Sequence, residues 1–179
     1  FLGLSGILMI ILMIISAPYR MKRIFAFLDP FQDPLGSGYQ VIQSLYALGS
    51  GGLFGLGLGK SKQKYFYIPE PQNDFIFAII GEELGFVGCC LIIALLLLIV
   101  IDCILIGTHA QDTAGKVICC GVGSLIGIQT FINVAVATQI FPNTGIPLPF
   151  VSYGLTSLVS LYLGIGLVLN IGLQPKKYK

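Results

Sequence analysis

Charge is what this sequence has least of: only 10% of its 179 residues are Asp, Glu, Lys or Arg, where a soluble domain carries about 25%. No basic run exceeds a few residues and the net charge is only +2, which excludes a polyanion-binding role and with it a nucleic-acid partner. Tryptophan is absent. The single histidine, His109, stands in a short loop with no partner cluster, so no chemistry is assigned to it. The five cysteines, Cys89, Cys90, Cys103, Cys119 and Cys120, lie in apolar runs without metal-site spacing, and are expected to be small buried hydrophobes. Phosphate-loop patterns fail as well. A Walker A loop ending at Gly59 and a GxGxxG starting at Gly49 both need glycine at position 54, which is Phe54, so an NTPase or dinucleotide site is excluded.

What the chain has in excess is apolar length. It is 55% hydrophobic with a mean hydropathy of +0.91, and crossing a bilayer takes roughly 20 apolar residues. Three windows meet that length: Leu84 to Ile106, Val117 to Phe141 and Val151 to Leu173. A fourth, Phe1 to Ala17, is near the short limit. It begins without methionine, lacks a basic n-region and is followed by no A-x-A site, so it reads as a span of a chain that starts mid-protein rather than as a signal peptide. The expectation is an all-α integral membrane protein of four spans, surrounded by membrane lipids.

Between the first two spans runs a polar stretch from Pro18 to Glu83, far longer than an ordinary connection; loops of that length usually carry function. By alternation this loop shares a side with Pro142 to Phe150, while Gly107 to Lys116 and the QPKKYK tail share the other. Lys176, Lys177 and Lys179 mark the tail side as cytoplasmic, because the positive-inside rule weakens for loops beyond about 60 residues. The large loop is therefore expected outside. Within it, Gln40 to Leu48 has helical spacing, with Val41, Leu45 and Leu48 on one face and Gln40, Gln43, Ser44 and Ala47 on another. Gly51, Gly55 and Gly59 then recur every four residues. A helix there would let two backbones approach closely; a non-helical path would use the glycines in a re-entrant turn buried in protein.

The loop ends in PEPQNDFIFAIIGEELG. Pro69 and Pro71 keep the approach extended, and Asn73 and Asp74 stand where a helix N-cap belongs, just before the apolar residues Phe75 to Ile80. A carboxylate is thereby held at the mouth of a membrane helix. Further on, Gln129 and Asn133 lie one helical turn apart beside Thr130, with Thr138 and Gln139 beyond, and such polar groups are expected to bond across helices. Asp102, near the inner end of its span, is expected to reach the interface.

The outer side thus gathers one carboxylate, Asp74, with the cations Arg20, Lys22, Arg23, Lys60, Lys62 and Lys64, and the polar groups Gln40, Gln43, Ser44, Gln63, Glu70 and Ser152. Such a set suits an anionic, lipid-anchored substrate. Cations can hold a phosphate, and a carboxylate in a drier site can take a proton from a hydroxyl. A carboxylate pair is the weaker reading, because Asp74 and Glu82 would lie about 12 Å apart on a helix, beyond the roughly 5 to 9.5 Å of glycosidase pairs. One carboxylate acting alone, or with a metal, fits better.

Three ordered stretches carry a resemblance: FLDPFQDPLGSGYQVIQSLYALGSGG, GKSKQKYFYIPEPQNDFIFAIIGEELGFVG and NTGIPLPFVSYGLTSL. Together they resemble the large outer loop and last outer segments of the SEDS (shape, elongation, division and sporulation) family, which includes FtsW, RodA and SpoVE. The resemblance spans essentially the whole chain. It implies a ten-span membrane fold of which this chain supplies the C-terminal four spans, with a large extracytoplasmic loop carrying short helical elements. It also implies a peptidoglycan glycosyltransferase of the bacterial cytoplasmic membrane that polymerises lipid II, an undecaprenyl-pyrophosphate-linked disaccharide pentapeptide, beside a class B penicillin-binding transpeptidase. Asp74 falls on the aspartate of the family's P-E-x-x-x-D-F-I-F motif, the catalytic candidate, with a divalent cation, Mg or Mn, as an expected aid. KSKQKYFYIPEPQNDFIF looks closer to the division and sporulation branch than to the elongation branch. The chain departs from the pattern at Leu155, where a second glycine of SYGG is usual. Two other roles compete: a lipid II flippase, which would need polar groups serving both faces, and a non-catalytic scaffold for the transpeptidase, in which Asp74 would be dispensable.

Overall fold

The computed structural model describes residues 18–36, 38–62 and 74–174. The expected first span, Phe1 to Ala17, lies outside the described residues, as do Gln63, Lys64, Glu70 and the lysines of the tail. The described chain is helical with no strand: α1 (Pro18–Leu28), a 3₁₀ turn (Pro30–Gln32), α2 (Tyr39–Gly51), α3 (Ile76–His109), α4 (Thr113–Ala137) and α5 (Leu155–Leu173). Helices α3, α4 and α5 are each long and apolar enough to cross a membrane. The three run antiparallel, with Gly115 against Ile171 and Gly172 against Ile106, so the start of α3, the end of α4 and the start of α5 share one end of the bundle. We call it the polar end.

Close packing in the bundle rests on small residues, as expected where lipid competes for every apolar contact. A Cβ on Gly123 would meet that of Cys103 at 3.1 Å, and one on Gly107 would meet that of Cys119 at 3.0 Å. Around Cys103, Cys119 and Val168, Ile99, Ile106, Val122 and Ile165 close the core where α3, α4 and α5 meet. A second cluster, Phe77, Cys89, Leu96, Ala137 and Leu148, lies nearer the polar end. The cysteines divide: Cys89, Cys103 and Cys119 are buried as expected, whereas Cys90 and Cys120 are exposed on the apolar surface. Each is the immediate neighbour of a buried cysteine, and adjacent residues on a helix point to different faces.

At 34 residues α3 is about 50 Å long, well over the roughly 30 Å of a hydrocarbon core. It is also broken. Gly85 has φ 68° and ψ −168°, a conformation essentially reserved to glycine. The break frees backbone groups that the glycine-rich segment after α2 satisfies in return. The amides of Leu56 and Gly57 donate to the carbonyls of Glu82 and Glu83 at 2.9 and 3.0 Å, and the amides of Phe86 and Val87 donate to Gly52 and Leu53 at 2.9 and 3.1 Å. The glycine ladder is therefore a loop rather than a helix past Gly51. Gly52, Gly55, Gly57 and Gly59 all have positive φ, and a side chain on Gly55 would strike the Glu83 carbonyl.

Helix α2 packs on α3 through its small residues. Ser44, Ala47 and Gly51 are buried with Val41 and Ile42, whereas Leu45 and Leu48 are only partly covered. This corrects the expected polar face: Ser44 and Ala47 point inward because Gly51 approaches the Gly81 carbonyl too closely for any side chain between them. Bulk, not polarity, decides which face docks.

In the full chain, Gly85→Ala is expected to cost about 1–3 kcal/mol from backbone strain alone, and more from the clash with Gly55 N and with Leu53. Thermal unfolding in detergent should show a lowered midpoint, while Gly121→Ala, whose side chain would enter open space on a helix that favours Ala over Gly, should not lower it.

Candidate functional site at the polar end

The site begins with the first residues of α3. Phe75, 1% exposed, occupies the N-cap position, and its carbonyl accepts from Ala78 and Ile79. Asp74 therefore precedes the cap, which corrects the expectation that it would be the cap itself. Burying the Phe75 ring against Val136 and Ile132 fixes the helix start one residue later than side-chain capping preference suggests.

Asn133 on α4 holds Asp74 in place. Its amide nitrogen donates to the Asp74 carbonyl at 3.0 Å and to the Ile146 carbonyl at 2.8 Å, and the residue is 1% exposed. One buried side chain thus ties the approach to α3 onto the α4–α5 loop. Of the expected polar set, Asn133 bonds to these two loops, Thr130 and Thr138 bond carbonyls of their own helix, and Gln139 donates to the Phe27 carbonyl of α1 at 3.2 Å. Of these residues Gln139 reaches another helix as expected, whereas Asn133 bonds to the two loops that fold over the end of α4 and bring carbonyls within closer reach. The Gln129 carbonyl oxygen is buried and has no partner among the described residues.

The α4–α5 loop joins two parts of the site. The Asn143 side chain accepts from the Gly145 amide at 3.1 Å, a local turn that Gly145 completes with φ 70°. A Cβ on Gly145 would lie 3.5 Å from the Asp74 carboxylate, so the loop backbone runs directly beside that group. Two residues back, at most about 7 Å along the chain, Asn143 lines a cavity of about 290 Å³ with Lys22, Arg23, Gln40 and Gln139. Arg23 donates to the Asn143 carbonyl at 3.2 Å, and Asn143 donates to Gln40 at 3.4 Å.

The structure thus gathers Lys22, Arg23 and Gln40 at one cavity with Asn143 of the α4–α5 loop, and Asp74, on the approach to α3, lies beside Gly145 of that same loop. The backbone of Arg20 lies in the first turn of α1. Lys60 and Lys62 are exposed on the glycine-rich segment and do not line the cavity. Gln43 is half-buried on α2 and also stays outside it. Ser44 is buried, its hydroxyl donating to the Ala137 carbonyl at 3.0 Å, which makes it part of the α2–α4 contact. Ser152 is buried too, and its oxygen accepts the Leu148 amide at 2.8 Å, closing the turn before α5. Leu155 opens α5 with its side chain 71% exposed, so the missing glycine leaves no bulk inside the site. Sequence reasoning missed Asn143 and Gly145 as site residues. The signal was present in Asn143-Thr144-Gly145, an Asn-x-Gly turn ahead of proline.

A metal could be held by the Asp74 carboxylate, the acidic group this end of the bundle offers next to the cavity. Among the described residues no three His, Cys, Asp or Glu side chains come together, so a cage made by protein alone is not what these residues build. A magnesium ion bound through one carboxylate, waters and substrate phosphate oxygens is compatible with that arrangement.

Membrane helices with their polar groups converging at one end, around a carboxylate and a cationic cavity, define a multi-pass membrane protein with a one-sided site. The chain belongs to the FtsW/RodA/SpoVE family of cell cycle proteins, the SEDS family, whose model matches residues 1–177. It is 53% identical over 171 residues to stage V sporulation protein E of Bacillus subtilis, covering 96% of this chain and 47% of that one. To a probable peptidoglycan glycosyltransferase FtsW of Trichlorobacter lovleyi it is 46% identical over 169 residues, covering 94% and 44%. A solved structure described as "Structural coordination of polymerization and crosslinking by a peptidoglycan synthase complex" matches with a TM-score of 0.69 and 30% identity, over 98% of this chain and 49% of that one. The chain spans about half the length of the relatives it matches.

Replacing Asn133 by Leu should strand two buried carbonyls, at a cost of about 1–3 kcal/mol each. The expected result is a clear fall in the thermal midpoint of the full-length protein, with Gly121→Ala, at a helical position open to space, giving none.

Proposed function

We propose that the full-length protein is a peptidoglycan glycosyltransferase that polymerises lipid II at the outer face of the bacterial cytoplasmic membrane. The observation that carries this reading is Asp74, tied down by Asn133 and bordered by Gly145 on a loop that also lines a cavity with Lys22 and Arg23. The names of the FtsW relatives support it.

In this reading Asp74 accepts the proton of the incoming sugar hydroxyl as that oxygen bonds to the anomeric carbon of the donor sugar. The bond from that carbon to the pyrophosphate breaks, and the lipid pyrophosphate departs with the electron pair. Lys22 and Arg23 offset the charge on the departing group, Arg most effectively because its planar fork matches phosphate oxygens. Gly145 leaves room for a hydroxyl beside the carboxylate, since a Cβ there would already be in van der Waals contact with it at 3.5 Å and any longer side chain would occupy that space. A divalent cation held by Asp74 would supply further charge neutralisation at the phosphates.

The same reading sets the topology and the partner. The polar end, with the large loop, faces outward and the C-terminus is cytoplasmic, so a lipid-anchored substrate meets Asp74 with its chain still in the bilayer. A class B penicillin-binding transpeptidase is the expected mate, a proposal supported by the likeness to a synthase complex in which polymerisation and crosslinking are coordinated.

The test is lipid II polymerisation by the purified full-length protein with its transpeptidase. Asp74→Ala and Asp74→Asn are expected to lower glycan synthesis by about 10²-fold or more, the contribution of a general base, without changing the thermal midpoint. Removal of divalent cations should lower the wild-type rate. Normal polymerisation by Asp74→Ala would overturn the role given to Asp74.

A further inference from the structure

Glu82 is a buried acid that the reaction above does not use. It lies on α3 about two turns beyond Asp74 and one residue-turn before the break at Gly85, and it is 1% exposed. Both of its carboxylate oxygens hold the segment that follows α2. Oε2 accepts the Ser61 hydroxyl at 2.5 Å and Oε1 accepts the Lys62 backbone amide at 3.1 Å. The first distance belongs to the range of charge-assisted O–H···O⁻ bonds. The carbonyl of the same residue accepts the Leu56 amide, and the Lys60 amide turns back onto Gly57 at 3.1 Å.

One residue therefore grips the glycine-rich segment at both its near and its far end. Without such a grip that segment has little to order it, since Gly52, Gly55, Gly57 and Gly59 are the residues that lose most freedom on being fixed. What the grip presents is a pair of exposed lysines, Lys60 and Lys62, flanking a buried serine. We propose that Glu82 is a positioning residue: a clasp that holds Lys60 and Lys62 at the polar end, outside the Lys22–Arg23 cavity, to receive the diphosphate of the second lipid-linked substrate, the one that supplies the attacking hydroxyl. This rests on the glycosyltransferase reading for the identity of the ligand, though not for the existence of the clasp.

A carboxylate is needed because it offers two acceptors to two donors. Glutamine offers one acceptor, for the Lys62 amide, and its NH₂ would face Ser61, whose hydroxyl must turn from donating to a carboxylate to accepting from a neutral amide, a weaker bond. Glu82→Gln therefore weakens the Ser61 arm while keeping the Lys62 one, and Ser61→Ala removes the Ser61 arm without altering α3 or any charge. Two readouts on the full-length protein in detergent test the clasp. The first is the rate of trypsin cleavage after Lys60 and Lys62, followed by mass spectrometry. It is expected to rise about tenfold in either variant, the factor carried by one hydrogen bond to a charged group, with no further rise in the double variant because the two residues act as a pair. The second is the KM for lipid II, expected to rise by a similar factor with kcat little changed, opposite to the kcat loss expected of Asp74→Asn. Unchanged cleavage would overturn the clasp. Faster cleavage or a lower thermal midpoint with KM unchanged would reduce Glu82 to a structural residue and overturn its positioning role. If Glu82→Gln fails to fold, Ser61→Ala alone decides both points. Should the wild type itself make no glycan, it is the glycosyltransferase reading that fails, and the cleavage rates then judge the clasp by themselves.

Discussion

At Gly85 α3 leaves the helical path, and two carbonyls and two amides lose their partners close to a membrane, where an unsatisfied backbone group costs several kcal/mol. The segment from Gly52 to Gly57 takes up all four, each bond running between main chains. Two irregular stretches that would each be untenable alone therefore become a single folded unit. Much else follows from this exchange. It fixes where α2 ends, why Gly51 sits against Gly81, why four glycines in a row of eight have positive φ, and how the chain reaches Ser61 with its hydroxyl on Glu82. The break also divides α3 by task. The part after it is about 36 Å long, enough to cross the hydrocarbon core, while the part before it carries Asp74's anchorage and Glu82 above the core.

A second junction, at Asn133, does for the polar end what the break does for the loop. One amide donates to carbonyls from two segments far apart in sequence, and the α4–α5 loop it steadies brings Gly145 beside Asp74 and Asn143 beside Arg23. Carboxylate and cations thus share a rigid neighbour instead of each depending on a separate loop. That suits a group expected to exchange a proton with a bound hydroxyl, because a displacement of about 1 Å at such a site can cost a hundredfold in rate. The apolar surface of the three long helices, with Leu91, Leu98, Phe131 and Leu163 largely exposed, is what a soluble protein could not carry and a bilayer-embedded one requires.

Much of this could be read from residues alone. Runs of apolar residues give the three long helices, since nothing but a helix satisfies its own backbone in hydrocarbon, and the P-E-x-x-x-D-F-I-F pattern singles out Asp74. Other features were out of reach. Capping preference pointed to Asp74 as N-cap, but the buried ring of Phe75 outweighs one capping bond. Helical spacing put Ser44 and Ala47 on a different face from Val41, Leu45 and Leu48, and could not say that Ser44 and Ala47 would be the ones buried, because periodicity shows which residues share a face and not which face meets a neighbour. The glycine ladder left helix and loop equally open.

What the sequence determined by itself was therefore everything that depends on neighbours along the chain: membrane-spanning length, the one-sided spread of polar groups, family membership, and the identity of the acid at the start of α3. Tertiary structure alone decided which backbone groups answer the break at Gly85, that Asn133 and not a helix cap secures Asp74, and that Lys22, Arg23, Gln40 and Asn143 share one cavity. The physical reason is that a hydrogen bond between residues 20 to 120 positions apart leaves no periodic trace in composition. It exists only once packing has brought donor and acceptor within about 3 Å of each other.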